Sequence, residues 1–536
     1  MYLNYFKKTL TSLLLASLIA TGLLLANKSF EKISLASETS SINPDKNAVS
    51  INTPFDPNFQ VNLPIFPEKT CFLTDYGAIG DGQTKNTAAF EKAIAACAAS
   101  GGGKVNVPPG TWLTGPIELK SNIDLDLAEG AKIVFTTDFE DYLPPVFSRF
   151  EGIEDYTFSP LIRADHAQNV AITGRGTIDG QGQTWWNFNS GSSINKLYSM
   201  GENGTPAAKR IFATAPNGLR PSFIEFTDCS RILISGVSIL RGPMWTIHPV
   251  YSQDITIQNT DINTAPGPST DGIVIDSSKN VLVENTTLAT GDDAITIKSG
   301  RDNDGRNINI SSENIVLRDI NINDAHGAVA IGSEISGNVY NVLAQNFNVA
   351  SAQYGFRVKS NQQRGGEAKN IWIENFNINK LQDAIAQFNA YYERRGTIYT
   401  DYPPAFQNIH LENITSRNST DSINIFGLED NLDSISDLSF KNINIQKARS
   451  GMKISGAKNL SFDNVSVSSK YGPVFGLRDT QDITITNSRC KNTAVTCLSL
   501  GGDNLKNIRL DKESFSSRPN YLFFEQGADK KQFKVQ

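Results

Sequence analysis

The sequence is short of the features that would sort it quickly. Among 536 residues it has 5 cysteines and 4 histidines. Cys71, Cys97, Cys229, Cys490 and Cys497 form no CxxC pair and keep no histidine spacing suited to zinc, which argues against a metal site built on thiolates. In an exported chain Cys490 and Cys497 either close a small loop or stay as buried free thiols, and the odd count leaves at least one unpaired. The net charge of −6, with 19% charged residues, argues against a general nucleic-acid binder. An anionic ligand would need a local basic patch. Beyond the N-terminus no run is long and apolar enough to cross a bilayer.

The start is different. In MYLNYFKKTLTSLLLASLIATGLLLANKSF, Lys7 and Lys8 precede an uncharged run from Leu10 to Ala26. Its length lies between a secretory apolar segment and a spanning helix, so residues 1–36 read as a signal peptide cleaved after Ala26 or Ala36, with retention as an N-terminal anchor the alternative. Export, to the medium or a periplasm, follows. Residues 37–68, rich in Ser, Asn and Pro, read as a linker, leaving 69–536 as one folded domain.

From about residue 169 a unit repeats: Asn or Asp, an apolar-alternating strand, a short turn and a second strand. Its anchors are Asn169, Arg231, Asp254, Asn280, Asn314, Asn341, Asn370, Asn408, Asp437, Asn459, Asp482 and Asn507. Period-2 strands separated by turns too short for helices, recurring at solenoid spacing, predict an all-β parallel β-helix whose coils bury apolar side chains against one another. A propeller blade or leucine-rich repeat would need longer or Leu-patterned units. The anchors are structural, their side chains satisfying backbone at equivalent turns. FEKAIAACAAS, Phe90–Ser100, reads as a short helix capping the open end.

Within that solenoid, inward apolar pairs set the register: Ile273/Ile275 on Ile295/Ile297, on Val329/Ile331, on Phe356/Val358. The alignment puts Asp271, Asp293, Gly327 and Tyr354 in one rank. Thr270, Asp292, His326 and Gln353 form the adjacent rank, and Asp276, Lys298, Gly332 and Lys359 a third, with Arg357 pointing outward. Neighbouring parallel strands lie about 4.8 Å apart, so three aspartates, a histidine and two cations converge on one face. At an effective dielectric near 20, two unit charges roughly 5 Å apart repel by about 3 kcal/mol. At least one carboxyl therefore holds a proton at mildly acidic pH, and the cluster contains both an acid and a base.

TDG at Thr270–Gly272, GDD at Gly291–Asp293, HG at His326–Gly327 and RVK at Arg357–Lys359 resemble, in order and spacing, the four signatures of the polygalacturonases, glycoside hydrolase family 28. TDYGAIGDGQTKNTAAFEKAI resembles the capping region of pectin-degrading β-helices. RPSFIEF, GPMWTIHPVY, SGRDNDGR, AIGSEISG and RGG resemble the exo-acting bacterial and plant branch. The resemblance implies a single-stranded right-handed β-helix as catalytic domain and hydrolysis of α-1,4-galacturonosidic bonds in polygalacturonate. It implies Asp292 as general acid, Asp271 and Asp293 activating water, His326 tuning the acid, and Arg357 and Lys359 binding the galacturonate carboxylate. Tyr391 or Tyr392 resembles a tyrosine used at the sugar site. His248 is either a substrate contact or a structural histidine. Lys298, Arg301, Arg306 and Arg364 can extend the basic patch.

The carboxyl separation that inverting glycosidases need, roughly 6.5–9.5 Å, is within reach of one coil step plus a side-chain offset. The sequence departs from the family at Ser269, where Asn is usual, at Ala325 and at Val358; Ser269 bears on efficiency more than reaction class. No cofactor, metal, nucleic acid or protein partner is called for, and a monomer is expected. Three rivals share the fold. A calcium-dependent pectate lyase would use clustered oxygens but leaves His326 without a task. A non-catalytic adhesin or polysaccharide-binding protein leaves the carboxylates without one. Rhamnogalacturonan-acting relatives tend to lack the histidine and the full cationic signature. The inserts at Leu143–Ser159 and Gln387–Pro404 suggest a groove walled at one end, hence exo attack.

Overall fold

The computed structural model describes residues 41–43, 47–393, 402–491, 496–515, 521–525 and 527–536. The leader lies outside these residues. The repeat builds coils of three strands joined by turns, and each strand pairs in parallel with its counterpart one coil on. Ile224–Thr227, Ser230–Ser235 and Ser238–Leu240 pair with Ile247–Val250, Gln253–Gln258 and Asp261–Asn263. Those in turn pair with Ile273–Asp276, Lys279–Glu284 and Thr287–Ala289. From Ser312 onward the second and third strands run together, as in Ser312–Asp324 and Val339–Ala352. Alternation sends every second side chain inward, where Phe347 stacks on Phe376 at 4.5 Å and Phe440 on Phe462 at 4.8 Å. Each buried Ile or Phe contributes about 1.5–3 kcal/mol, which makes the stack of coils one continuous core.

All twelve anchors sit in the left-handed region, with φ between 51° and 60°. A bend into that region costs most residues about 1–2 kcal/mol and Asn or Asp least, since their short side chains bond locally. Here the bond runs to the next coil: the Asn341 amide donates to Asn314 at 2.9 Å, Asn370 to Asn341 at 3.0 Å and Asn408 to Asn370 at 2.7 Å. A second ladder, not read from the repeat, joins Asn346, Asn375, Asn413, Asn442 and Asn464.

The cap helix spans Thr87–Ala99, three residues earlier than expected at its start, and buries Ala89, Phe90, Ala93, Ile94 and Cys97. A Cys71–Cys97 disulfide ties it to the first rung, a second bridge joins Cys490 and Cys497, and Cys229 is a buried free thiol.

The linker expected over 37–68 is corrected in its later part. Ala48–Ile51 and Phe59–Asn62 form an antiparallel hairpin. Its Val49, Ile51, Phe59 and Val61 cover the outward-facing stripe Leu282, Val316 and Leu343. Composition pointed to a tether; the alternation in AVSI and FQVN is what decides, because it gives the segment an apolar face to bury.

The insert at Leu143–Ser159 holds another hairpin, Val146–Phe150 with Ile153–Thr157. With the helix Gly191–Glu202 it buries Phe150, Ile153 and Leu197 against Met244, Trp245 and Val274, covering the outer face of the Ile273–Asp276 rung and the one before it.

Candidate active site

The register holds residue by residue. Ile273 pairs with Ile295 and Asp276 with Lys298, Ile295 with Val329 and Ile297 with Ile331, Val329 with Phe356 and Gly332 with Lys359. Four consecutive rungs therefore present Asp271, Asp292, Asp293, His326, Arg357 and Lys359 together. Asp271 and Asp293 are joined through the backbone, Gly272 N–H donating to the Asp293 carbonyl at 3.0 Å, and His326 N–H donates likewise to Asp292 at 2.9 Å.

The carboxyls differ in surroundings. Asp293 is buried, which by itself opposes charge, yet Lys359, Arg357 and His326 overcome the burial and hold it at about 2. Lys359 Nζ lies 3.0 Å from Asp293 Oδ2, and Arg357 Nη1 lies 3.9 Å and His326 Nδ1 3.6 Å from Oδ1. Asp271 goes the other way: burial first, then the neighbouring charge of Asp292, push it well above the usual carboxylate range, against the pull of Lys298. Asp292 is the one whose side chain reaches solvent, at 34% exposure against 1% for Asp293. Its Oδ1 accepts from Asp293 N–H at 2.9 Å and lies 3.3 Å from His326 Nδ1. Glycine at 327 is required, since a Cβ there would come within 2.6 Å of Asp293 Oδ1.

The cations divide into two groups. Arg357 and Lys359 serve the cluster; the Arg357 guanidinium lies 4.4 Å over the Tyr354 ring and 5.4 Å from that of Tyr392, and Lys359 5.1 Å from Tyr392. Lys298 is buried and turned onto Glu334 Oε2 at 2.8 Å and the Gly332 carbonyl, lying 4.8 Å over Trp245. Arg301 pairs with the same Glu334 at 3.1 Å, and Arg364 with the exposed Glu393 at 3.4 Å. Arg306 donates to two backbone carbonyls. The wider basic patch is thus largely neutralised from beneath.

Tyr392 turns its ring to Arg357 and Lys359, while Tyr391 packs against the solenoid core and its N–H donates to Asn389. The rest of the Gln387–Pro404 insert, residues 394–401, lies outside the described residues. One expectation needs correcting: His248 is fully buried, its Nδ1 2.9 Å from Ser222 Oγ and its ring near Glu225 and Asp276, so it belongs to a structural network beneath the insert. Burial opposes its charge, but the Asp276 and Glu225 carboxylates raise it above the ordinary histidine value. In that network Arg149 of the insert pairs with Asp276 at 2.8 Å.

Sequence reading missed Glu334, two residues beyond the rank of Lys298, and the part played by Tyr354, whose hydroxyl donates to Asp383 at 2.7 Å beneath Arg357. Tyr354 was visible in the Asp271 rank. Nothing in one sequence could show that Glu334 turns back onto Lys298.

Asp292, Asp293 and His326 bring ligand atoms within 4.8 Å of one another. Lys359 already neutralises Asp293 through Oδ2 at 3.0 Å. The donor set fits calcium poorly, since calcium takes six to eight oxygens.

The model of glycosyl hydrolases family 28 matches residues 97–469. A probable polygalacturonase of Vitis vinifera is 30% identical over 394 residues, covering 71% of this chain and 75% of its own. An exo-poly-alpha-D-galacturonosidase of Dickeya chrysanthemi is 28% identical over 435 residues, 74% and 69% of the two chains. The solved exopolygalacturonase of Thermotoga maritima superposes with a TM-score of 0.66 at 34% identity, covering 84% of this chain and 93% of that one.

Proposed function

The chain belongs to glycosyl hydrolases family 28, and from that premise we propose that it hydrolyses α-1,4-galacturonosidic bonds of polygalacturonate with inversion, from a chain end. The observation that carries the reading is one cluster in which buried Asp293 faces Lys359 at 3.0 Å and Arg357 at 3.9 Å, while burial and the charge of Asp292 push Asp271 up beside the exposed Asp292. We assign delivery of a proton to the glycosidic oxygen to Asp292, because its carboxyl alone of the three reaches solvent. Asp293, kept anionic by Lys359 and Arg357, takes the proton of the attacking water with Asp271, which must first lose its own. Because Asp292 must carry its proton while Asp271 has lost its own, the rate should fall on both sides of a pH optimum. Arg357 and Lys359 receive the substrate carboxylate, Arg by a planar fork and Lys as a point charge. His326, beside Asp292, orients the acid.

Exo attack is supported by the insert, whose hairpin packs on Met244, Trp245 and Val274, pairs Arg149 with Asp276 and accepts from Arg301 N–H, so that it lines the Asp271 rung and its neighbours. The leader in 1–36 is read as an export signal with 69–536 as catalytic domain, acting as a monomer on the polysaccharide. Among the described residues no helix is long and apolar enough to cross a membrane.

The test is incubation with long polygalacturonate. Reducing ends should appear as one short sugar, without ultraviolet-absorbing unsaturated products and undiminished by a chelator. Asp292→Asn should lower the rate by about 10²–10⁴, the usual worth of a general acid. An unaltered rate overturns the assignment, and unsaturated products lost on chelation make the protein a lyase.

A further inference from the structure

The catalytic face does not end at Lys359. Its strand Tyr354–Lys359 pairs onward with Ala386–Asn389, Ile423–Phe426 and the Met452–Ser455 stretch of the next strand. That stretch pairs with Phe475–Arg478 of the strand after it. The outward rank of Arg357 continues as Gln387, Asn424, Lys453 and Gly476. The rank of Lys359 continues as Asn389, Phe426, Ser455 and Arg478. Where these ranks reach Lys453 and Arg478 the face opens into a cavity of about 400 Å³, lined also by Tyr471, Pro473 and Glu525. A second hollow of about 380 Å³ shares Tyr471 and Pro473 and adds Lys470 and Phe523.

The chemistry of this hollow matches a polyuronate. A pyranose ring has apolar C–H faces and, in a uronate, a carboxylate at its rim. Tyr471 is 52% and Phe523 56% exposed, an unusual placement for rings that elsewhere fill the solenoid interior. Lys453 and Arg478 stand at the rim, their side chains 53% and 58% exposed, steadied by Asp421 at 2.6 Å and Glu525 at 3.0 Å. They are positioned without being buried. From the Ile295–Lys298 rung to the Lys453 rung there are five strand pairings, hence about 24 Å. That separation exceeds the span of a short oligosaccharide seated at Asp292.

We propose that this hollow is a distal subsite, Tyr471 stacking on a sugar face and Lys453 and Arg478 pairing with carboxylates of the same polygalacturonate chain whose end is cleaved at Asp292. The inference rests on the hydrolase reading above. These rungs continue the face of the cluster C-terminally strand by strand, so a long chain that runs along the face past Lys359 reaches them.

The test compares substrates of two lengths. Tyr471→Ala and the double variant Lys453→Ala/Arg478→Ala should raise KM for long polygalacturonate about three- to tenfold, the scale of one or two modest contacts. They should leave kcat, the thermal midpoint and all constants for trigalacturonate unchanged. No change with the polymer, or an equal change with the trimer, overturns the subsite. Binding of polygalacturonate is measured in parallel in an Asp292→Asn background. If wild type cleaves nothing, the hydrolase reading fails, while polymer binding that is still weakened about threefold or more by Tyr471→Ala sustains the surface. Equal binding by both removes it.

Discussion

At the scale of single residues the cluster runs on two aspartates pushed in opposite directions, and this has consequences for stability as well as rate. Asp293 is depressed from its ordinary 3.8 to about 2, so its contribution is complete above the ordinary range and is lost as pH falls from about 4 towards 2. Asp293→Asn leaves Lys359 and Arg357 buried without their partner and should cost about 3–5 kcal/mol at neutral pH, and little near pH 2. Asp271 is raised, so it favours the folded state at acid pH and opposes it once pH climbs through its folded value. Asp271→Asn should therefore abolish activity yet raise the thermal midpoint at neutral pH, with little effect in acid. Thermal melts of both variants across pH separate the assignments, and a fall in stability for both would show that Asp271 is ionised in the native protein. Much of this was legible. Charge crowding required one carboxyl to be protonated; which one depends on burial and on where Lys298 and Lys359 point, and neither is a property of sequence spacing. The placing of Tyr392 beside Arg357 and Lys359 is the same lesson, since no periodicity in a turn says which residue meets the cations.

At the scale of elements, the ladder and the insert make separable claims. Asn341 holds a left-handed bend and two ladder bonds, donating to Asn314 and accepting from Asn370. Asn341→Ala should cost about 2–3 kcal/mol in a chemical melt, combining the strain of a Cβ in that region with lost bonds, and Asn341→Gly distinctly less. Equal losses would remove the backbone part of the explanation. For the insert, replacing Val146–Thr157 by a short turn removes the wall held by Arg149 on Asp276. Early products from polygalacturonate should then broaden from one short sugar to a ladder of sizes. An unchanged single product would mean that the end is closed elsewhere. The strands were readable because each inward pair repeats the same two-residue beat. The insert's position was not, because its hairpin docks through a buried ion pair and a small apolar cluster made with residues far along the chain.

Across the whole molecule, the solenoid has several outer faces and uses them differently. One carries the reaction, and another is covered by the N-terminal hairpin lying over Leu282, Val316 and Leu343, with Trp372 packed beside it. Removing residues 1–65 should uncover that stripe, lower the thermal midpoint and promote self-association on sizing columns, while kcat with trigalacturonate stays at the full-length value. A loss of activity in the folded, monomeric truncation would tie the hairpin to catalysis instead.

The sequence by itself determined the solenoid, the register of its rungs and the meeting of Asp271, Asp292, Asp293, His326, Arg357 and Lys359. Each follows from local rules of alternation and turn chemistry, repeated coil after coil. Only tertiary structure decided that His248 is sealed in a buried network, that Lys298 answers to Glu334, that residues 48–62 cover a flank rather than swing free, and that Cys71 finds Cys97. These depend on contacts between segments with no common period, where burial and electrostatics in three dimensions choose the partner.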